Sequence, residues 1–295
     1  MICTFLGTAA AQGLPPIHAR NTFYQKVRCR PNEVRTRTGF RIGNKHQIDI
    51  SPDISAQLNR LGMDMYSVEH LLLTHTHGDH FSPVDLFDCL LMASEESGSL
   101  NPVKPTLYLS KPAYIWLCSD WLNAYKRFFN EERWAKVNSL INIVPVDYYR
   151  DYQAGELSFF TVKSNHMALG EGEYAINYLV SNNDTSIFYA SDTGFYKEDT
   201  WAQLKGRYAN AVVMEATFTS STTRGGHGDG HLNFQTFSDM LQRMAEIGFI
   251  DSKSVIYATH FNGAQQHFQA ELENLVANMP FEVKIAQDCS SFVLR

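Results

Sequence analysis

Residues 74–80 read Thr-His-Thr-His-Gly-Asp-His, which gathers three imidazoles and a carboxylate into seven positions of a 295-residue chain that holds eleven histidines. Imidazole and carboxylate together are the ligand pair that suits zinc, iron or manganese. In extended chain His75 and His77 project to the same side and can reach one ion. Gly78 permits a tight turn, after which Asp79 and His80 can address a second point a few ångströms away. A polar turn rich in histidine is the bland alternative, and four ligand-type residues in H-x-H-x-D-H order argue against it. One loop cannot complete two metal shells, so further ligands are needed at other strand ends. Three candidates come directly off apolar β patterns: His166 after LSFFTVKSN, Asp192 after SIFYAS and His260 after VIYAT.

The elements that must position these residues alternate between strand and helix signals. Strands are predicted at 2–6, 39–50 with a turn at Gly43-Asn44, 70–74, 106–109, 140–146, 157–163, 174–181, 186–191, 211–215, 255–259 and 282–286. Helices are predicted at 52–61, 83–93, 112–129, 196–204, 233–247 and 264–278, with Pro52 and Pro112 in first turns and Asn233 as a cap. Residues 7–38 read as a basic loop and 217–232 as a loop rich in Ser, Thr and Gly. No repeat or linker divides the chain, so 1–295 is predicted to be one α/β domain.

Hydrophobic residues at 44% and charged residues at 19% describe an ordinary globular chain, and a formal charge of −6 gives no hint of non-specific nucleic-acid binding. No run approaches the roughly 18 apolar residues of a membrane helix. The start MICTFLGTAAAQGLPP lacks a basic segment and reads as a strand and a small-residue loop instead of a signal peptide. Cys3, Cys29, Cys89, Cys118 and Cys289 are scattered and contain no C-x-x-C pair. Reduced thiols follow, with Cys3, Cys89 and Cys289 as small buried groups, and a cytoplasmic location.

The H-x-H-x-D-H motif, followed by a His, an Asp and a final His at strand ends, resembles the metallo-β-lactamase superfamily of dinuclear hydrolases. The likeness runs from FLGT to THFN. It implies a single-domain, four-layer αββα sandwich with two divalent ions per chain, zinc foremost and manganese or iron as alternatives. Carried across, His75, His77 and His166 would hold the first ion. Asp79, His80 and His260 would hold the second, with Asp192 bridging. His77 stands where oxygen-reducing di-iron relatives carry Glu, which points away from redox chemistry.

FLGTAAAQGLP, RTRTGFRI, IDISPDI and VMEATF…GHGDGHLNFQTF resemble the phosphodiesterase branch of that superfamily. It includes cyclic-ribose-phosphate phosphodiesterases and, more distantly, tRNA 3′-processing endonucleases. The branch carries an extra His before a helix as general acid. His231 fits because HLNFQTF runs straight into a helix pattern, whereas His227 sits in a Gly-rich loop. The cysteine-rich zinc site of the cyclic-phosphate enzymes is not matched, since only Cys29 stands in that region. The resemblance implies a hydroxide held between the ions attacking phosphorus, Asp79 orienting it and His231 protonating the leaving alkoxide.

A small-molecule phosphodiester is therefore the expected partner, without membrane and with nucleic acid disfavoured by the acidic balance. Arg35 and Arg37 are candidate phosphate contacts, with a solvated basic loop as their alternative reading. His18 and Tyr196 are candidates for the pocket mouth, and His46 and His70 are assigned no chemistry. The segment YIWLCSDWLNAYKRFF reads as core and lid packing, with homodimer formation as a minor reading. Rival functions are a lactonase or β-lactamase-like hydrolase, an RNA-processing nuclease and a non-catalytic metal scaffold or sensor.

Overall fold

The computed structural model describes residues 1–95 and 103–295. The first sheet starts with β1 (Ile2–Gly7), which pairs antiparallel with β2 (Gly39–Ile42), and β2 pairs antiparallel with β3 (His46–Ile48). From β3 onward, β4 (His70–Leu72), β5 (Thr106–Ser110) and β6 (Asn142–Val146) add in parallel. The second sheet begins with the antiparallel strands β7 (Asp151–Ala154), β8 (Leu157–Met167), β9 (Tyr174–Ser181) and β10 (Ser186–Ala190). It continues in parallel through β11 (Ala211–Glu215), β12 (Val255–Thr259) and β13 (Val283–Ile285). β14 (Ser291–Val293) crosses back to pair with β1, giving the orders β14-β1-β2-β3-β4-β5-β6 and β13-β12-β11-β10-β9-β8-β7.

Strand periodicity explains the layers. Phe159, Ile176, Tyr178, Ile187 and Val213 face inward and meet Phe5, Phe40, Ile48 and Leu72 between the sheets. Their neighbours Phe160, Val162, Phe188, Val212 and Met214 face outward, with Phe237, Met240 and Leu241 of the helix Phe234–Glu246 packed on them. Leu71, Leu73, Leu107 and Leu109 do the same on the other side, under the helices Ile54–Leu61 and Pro83–Glu95. These are the four αββα layers that the resemblance implies.

The turn expected at Gly43-Asn44 within 39–50 is present, dividing it into the hairpin of β2 and β3 with Gly43 at φ +56°. Several boundaries differ from expectation. The predicted helix 112–129 is broken: it is α-helical over Lys111–Ile115, π-helical over Trp116–Leu122, α-helical again over Asn123–Tyr125 and 3-10 over Lys126–Phe128. There Trp121 stacks on Phe87 and Tyr125, with ring centroids 5.5 and 4.4 Å apart, so the aromatic run does serve packing. The 264–278 helix is a short 3-10 turn followed by Gln269–Val276. Pro52 lies outside its helix, which starts at Ile54 with Asp53 as N-cap. Asn233 caps as expected, accepting from Thr236 N. Helices Thr22–Arg28 and Glu131–Ser139 occupy stretches without a predicted element, and Cys89 is exposed on its helix. All five thiols are free, and among the described residues no helix is long and apolar enough to cross a membrane.

Candidate metal centre

Every candidate ligand lies where a strand releases the chain. The 74–80 loop follows β4, His166 is near the end of β8, Asp192 follows β10 and His260 directly follows β12, while Asp49, which backs His80, follows β3. Apolar strand residues anchor each position, and the loop step then turns a polar side chain toward the common edge of both sheets. Asp49, Asp192 and His260 hold left-handed φ values of +61°, +54° and +58°. A non-glycine residue held there costs about 1 kcal/mol or more, and such strain clusters at functional sites.

Two groups of donor atoms result. His75 Nε2 and His166 Nε2 each lie 3.1 Å from His77 Nδ1, and each lies 3.4 Å from Asp192 Oδ2. His80 Nε2 and His260 Nε2 are 3.3 Å apart, and each is 3.5 Å from Asp79 Oδ2. Asp192 Oδ1 completes this second group at 3.3 Å from His80 and 2.8 Å from His260. One carboxylate thus gives an oxygen to each group.

The donor sets fit divalent ions. Tetrahedral bonds of about 2.0–2.1 Å to zinc place ligand atoms about 3.3–3.4 Å from one another, close to the spacings present. Asp192 Oδ1 is buried with no hydrogen-bond partner although two ring nitrogens adjoin it. Such converging lone pairs, unaligned for hydrogen bonding, are what a shared cation would satisfy. The far ring nitrogens are committed elsewhere. Nδ1 of His75 meets Thr74 Oγ1 at 3.0 Å, that of His80 meets Asp49 Oδ2 at 2.7 Å, that of His166 meets Gly230 O at 3.0 Å and that of His260 meets Thr217 Oγ1 at 2.9 Å. These contacts fix the rings with Nε2 inward.

Electrostatics separates the groups in the protein alone. Burial pushes His75 down to about 4, helped by His80, and burial pushes His166 down to about 3. Burial also disfavours charge on His260, but the carboxylates of Asp192 and Asp79 outweigh it and raise the ring to about 10. His80 is raised in the same way by Asp192, Asp79 and Asp49. Asp79 and Asp192 fall below the usual carboxylate range because neighbouring imidazoles overcome their burial.

A third cluster adjoins these two. His231 Nδ1 lies 2.9 Å from Glu215 Oε1, and its ring centroid is 4.5 Å from that of His166 and 5.9 Å from that of His260. Glu215 is fully buried at the end of β11. Its oxygens also accept from Thr193 N at 2.6 Å, Leu232 N at 3.2 Å and Thr217 Oγ1. With its lone pairs so engaged, Glu215 is an anchor for His231 and no ligand for a third ion. Burial disfavours the imidazolium of His231, but Glu215 and Asp192 reverse this and raise the ring above its ordinary value.

The remaining candidates stand apart. Arg35 is buried instead of solvated: its guanidinium donates to Thr8 Oγ1 and Ala286 O, both at 2.6 Å, and to Gln269 Oε1, and it lies over the Phe261 ring. It fastens the N-terminal loop to the C-terminal segment. Arg37 is paired with Asp53 at 3.0 Å and donates to Ala11 O. His18 is exposed. Tyr196 is buried with its hydroxyl on Asn177 Oδ1 at 2.5 Å. His227 stacks on Phe195 and pairs with Asp239 at 2.9 Å. Asp49 and Glu215 are the carboxylates against the cluster that the sequence reading does not single out, although each is an acid ending an apolar strand within a quoted segment.

A family model described as "Anti-Pycsar protein Apyc1" matches residues 41–276. The chain belongs to this family. Its span holds all seven candidate ligands and His231. Comparison of the sequence with curated proteins gives no match. Among solved structures, the chain is similar to a diphosphatase from the PhnP family, at 17% identity and TM-score 0.70 over 99% of this chain and 96% of that one. It is similar to Zn(2+)-bound PqqB from Methylobacterium extorquens at 17% identity and TM-score 0.68, with both chains fully covered. The short form of human tRNase Z matches at 16% identity and TM-score 0.61, again over the full length of both. These likenesses establish the metallo-β-lactamase fold.

Proposed function

We propose that the chain is a dinuclear metal-dependent phosphodiesterase that cleaves a small phosphodiester or cyclic phosphate, with His231 as general acid. The observation that carries this reading is the His231–Glu215 pair beside two complete donor groups. His75, His77 and His166 would hold one ion, and Asp79, His80 and His260 the other, with Asp192 shared. When bound, the ions supply an acidified water at neutral pH and polarise a phosphoryl oxygen. Asp79 orients the attacking water. Glu215 fixes the Nδ1–H tautomer of His231 and favours its protonated form, so Nε2–H is available to the departing alkoxide. Phe218, whose ring centroid is 5.6 Å from that of His231, walls the ring on one side.

Metal analysis of a zinc- or manganese-loaded preparation tests the dinuclear centre, and fewer than two ions per chain would sink it. A panel of bis-p-nitrophenyl phosphate, cyclic nucleotides, nitrocefin and lactones separates the hydrolases. Turnover confined to nitrocefin or lactones refutes phosphodiester cleavage, and two bound ions with no turnover of any substrate favour a metal scaffold.

A further inference from the structure

Glu173 is a buried carboxylate that the proposed reaction does not use. It sits just before β9, 1% exposed, at the turn of the β8–β9 hairpin. Its Oε1 accepts from Thr76 N at 2.9 Å, while Oε2 accepts from Thr76 Oγ1 at 2.5 Å and from Gly170 N at 2.7 Å. The Thr76 hydroxyl in turn accepts from Leu169 N at 3.2 Å. Thr76 stands between His75 and His77, and the hairpin carries His166. One side chain therefore joins the segments that supply the three imidazoles of the first donor group.

Two further observations separate this contact from an ordinary loop clasp. Among the described residues no lysine or arginine pairs with Glu173, and burial pushes its carboxyl upward. A buried carboxylate without a cation is costly, so its place depends on the donors of Thr76 and Gly170. Gly170 is also shaped to it: a Cβ there would lie 2.9 Å from Glu173 Oε2 and 2.9 Å from Pro112 O. The approach that brings Gly170 N onto the carboxylate thus requires glycine.

We propose that Glu173 is a positioning residue for the first metal site, holding the loop of His75 and His77 in register with the hairpin of His166. This rests on the ligand assignment proposed above. Glu173→Gln keeps the shape but sets an amide N–H₂ against a Thr76 or Gly170 donor.

Zinc titration of the metal-stripped full chain, with competing chelators to resolve two affinities, is the test. Glu173→Gln is expected to weaken one ion about 10–100-fold and leave the other within about twofold. Thr76→Val, which removes only the hydroxyl, should weaken the same ion less, and it reads the same contact if Glu173→Gln does not fold. His77→Ala identifies that ion by losing it. Cobalt(II) in the weakened site should show altered d–d bands, which a clasp affecting stability alone would not produce. Wild-type affinity at both sites in Glu173→Gln, with one ion lost in His77→Ala, overturns the role of Glu173. Two tightly bound ions in His77→Ala overturn the ligand assignment and the inference with it.

Discussion

Replacing Glu215 by Gln should change how His231 works, with metal analysis of the variant showing whether both ions stay bound despite the Thr217 and Thr193 contacts that Glu215 also accepts. The contact is 2.9 Å long, with Glu215 fully buried and the His231 side chain 21% exposed. A hydrogen bond to a charged group is worth about 1.5–3 kcal/mol, and about 1.4 kcal/mol is one pH unit, so the imidazolium should lose about 1–2 units of basicity. The sign follows from the role. A general acid must be protonated, so activity fails as pH rises through its pKa, and removing the carboxylate moves that alkaline limb of kcat/KM to lower pH. Above the displaced limb the variant should be about 10–100-fold slower; below it the two enzymes should converge. The substrate matters as much as the pH. An alkoxide leaving group needs the proton, whereas p-nitrophenolate leaves without it. His231→Ala should therefore cost about 10²–10⁴-fold on an alkyl or cyclic diester and far less on bis-p-nitrophenyl phosphate. An unmoved limb in Glu215→Gln, or equal losses on both substrates in His231→Ala, would refute proton donation by His231.

Other expectations follow from the same geometry. Because His260 and His80 are raised in the protein alone, the second ion must displace protons, so calorimetry near pH 7 in buffers of different ionisation enthalpy should register net proton release and its affinity should climb with pH. His75 and His166, already neutral there, should make binding of the first ion nearly independent of pH above about 5 by the same measurement. A Cβ at Gly194 would meet Asp229 O at 1.9 Å, so Gly194→Ala should push away the loop that carries His231 and lower kcat about tenfold or more while two ions stay bound by metal analysis. The Asp288 side chain is buried and accepts from Thr36 N at 2.6 Å, Thr36 Oγ1 at 2.7 Å and Thr8 Oγ1 at 2.7 Å, so Asp288→Ala should cost about 3 kcal/mol or more in urea unfolding.

The donor cluster is legible in the sequence because rare His and Asp residues stand at strand ends, where an apolar run marks the position. Asp49 and Glu215 escaped because a lone acid after a strand looks like any turn residue; only the fold brings it to a His distant in sequence. The solvated-loop alternative for Arg35 fails because its burial depends on Thr8, Gln269 and Ala286, which no local pattern connects to it. The breaks within 112–129 were hidden for a similar reason: a helical period persists through α, π and 3-10 turns, and tertiary packing selects among them. β14 is three residues long, too short for alternation to declare it, and its partner β1 lies at the other end of the chain.

Asp192 contributes one oxygen to each donor group, and those groups draw on loops from both sheets. Neither sheet alone can assemble a complete shell. The donor groups can therefore form only once the two halves have docked, which makes ion retention a report on that docking. A fragment ending before β7 should bind only loosely through its single histidine loop. Conversely, saturating ions act as a clasp across the sandwich: at a free concentration of about 1,000 times Kd, each would oppose separation of the halves by about 4 kcal/mol.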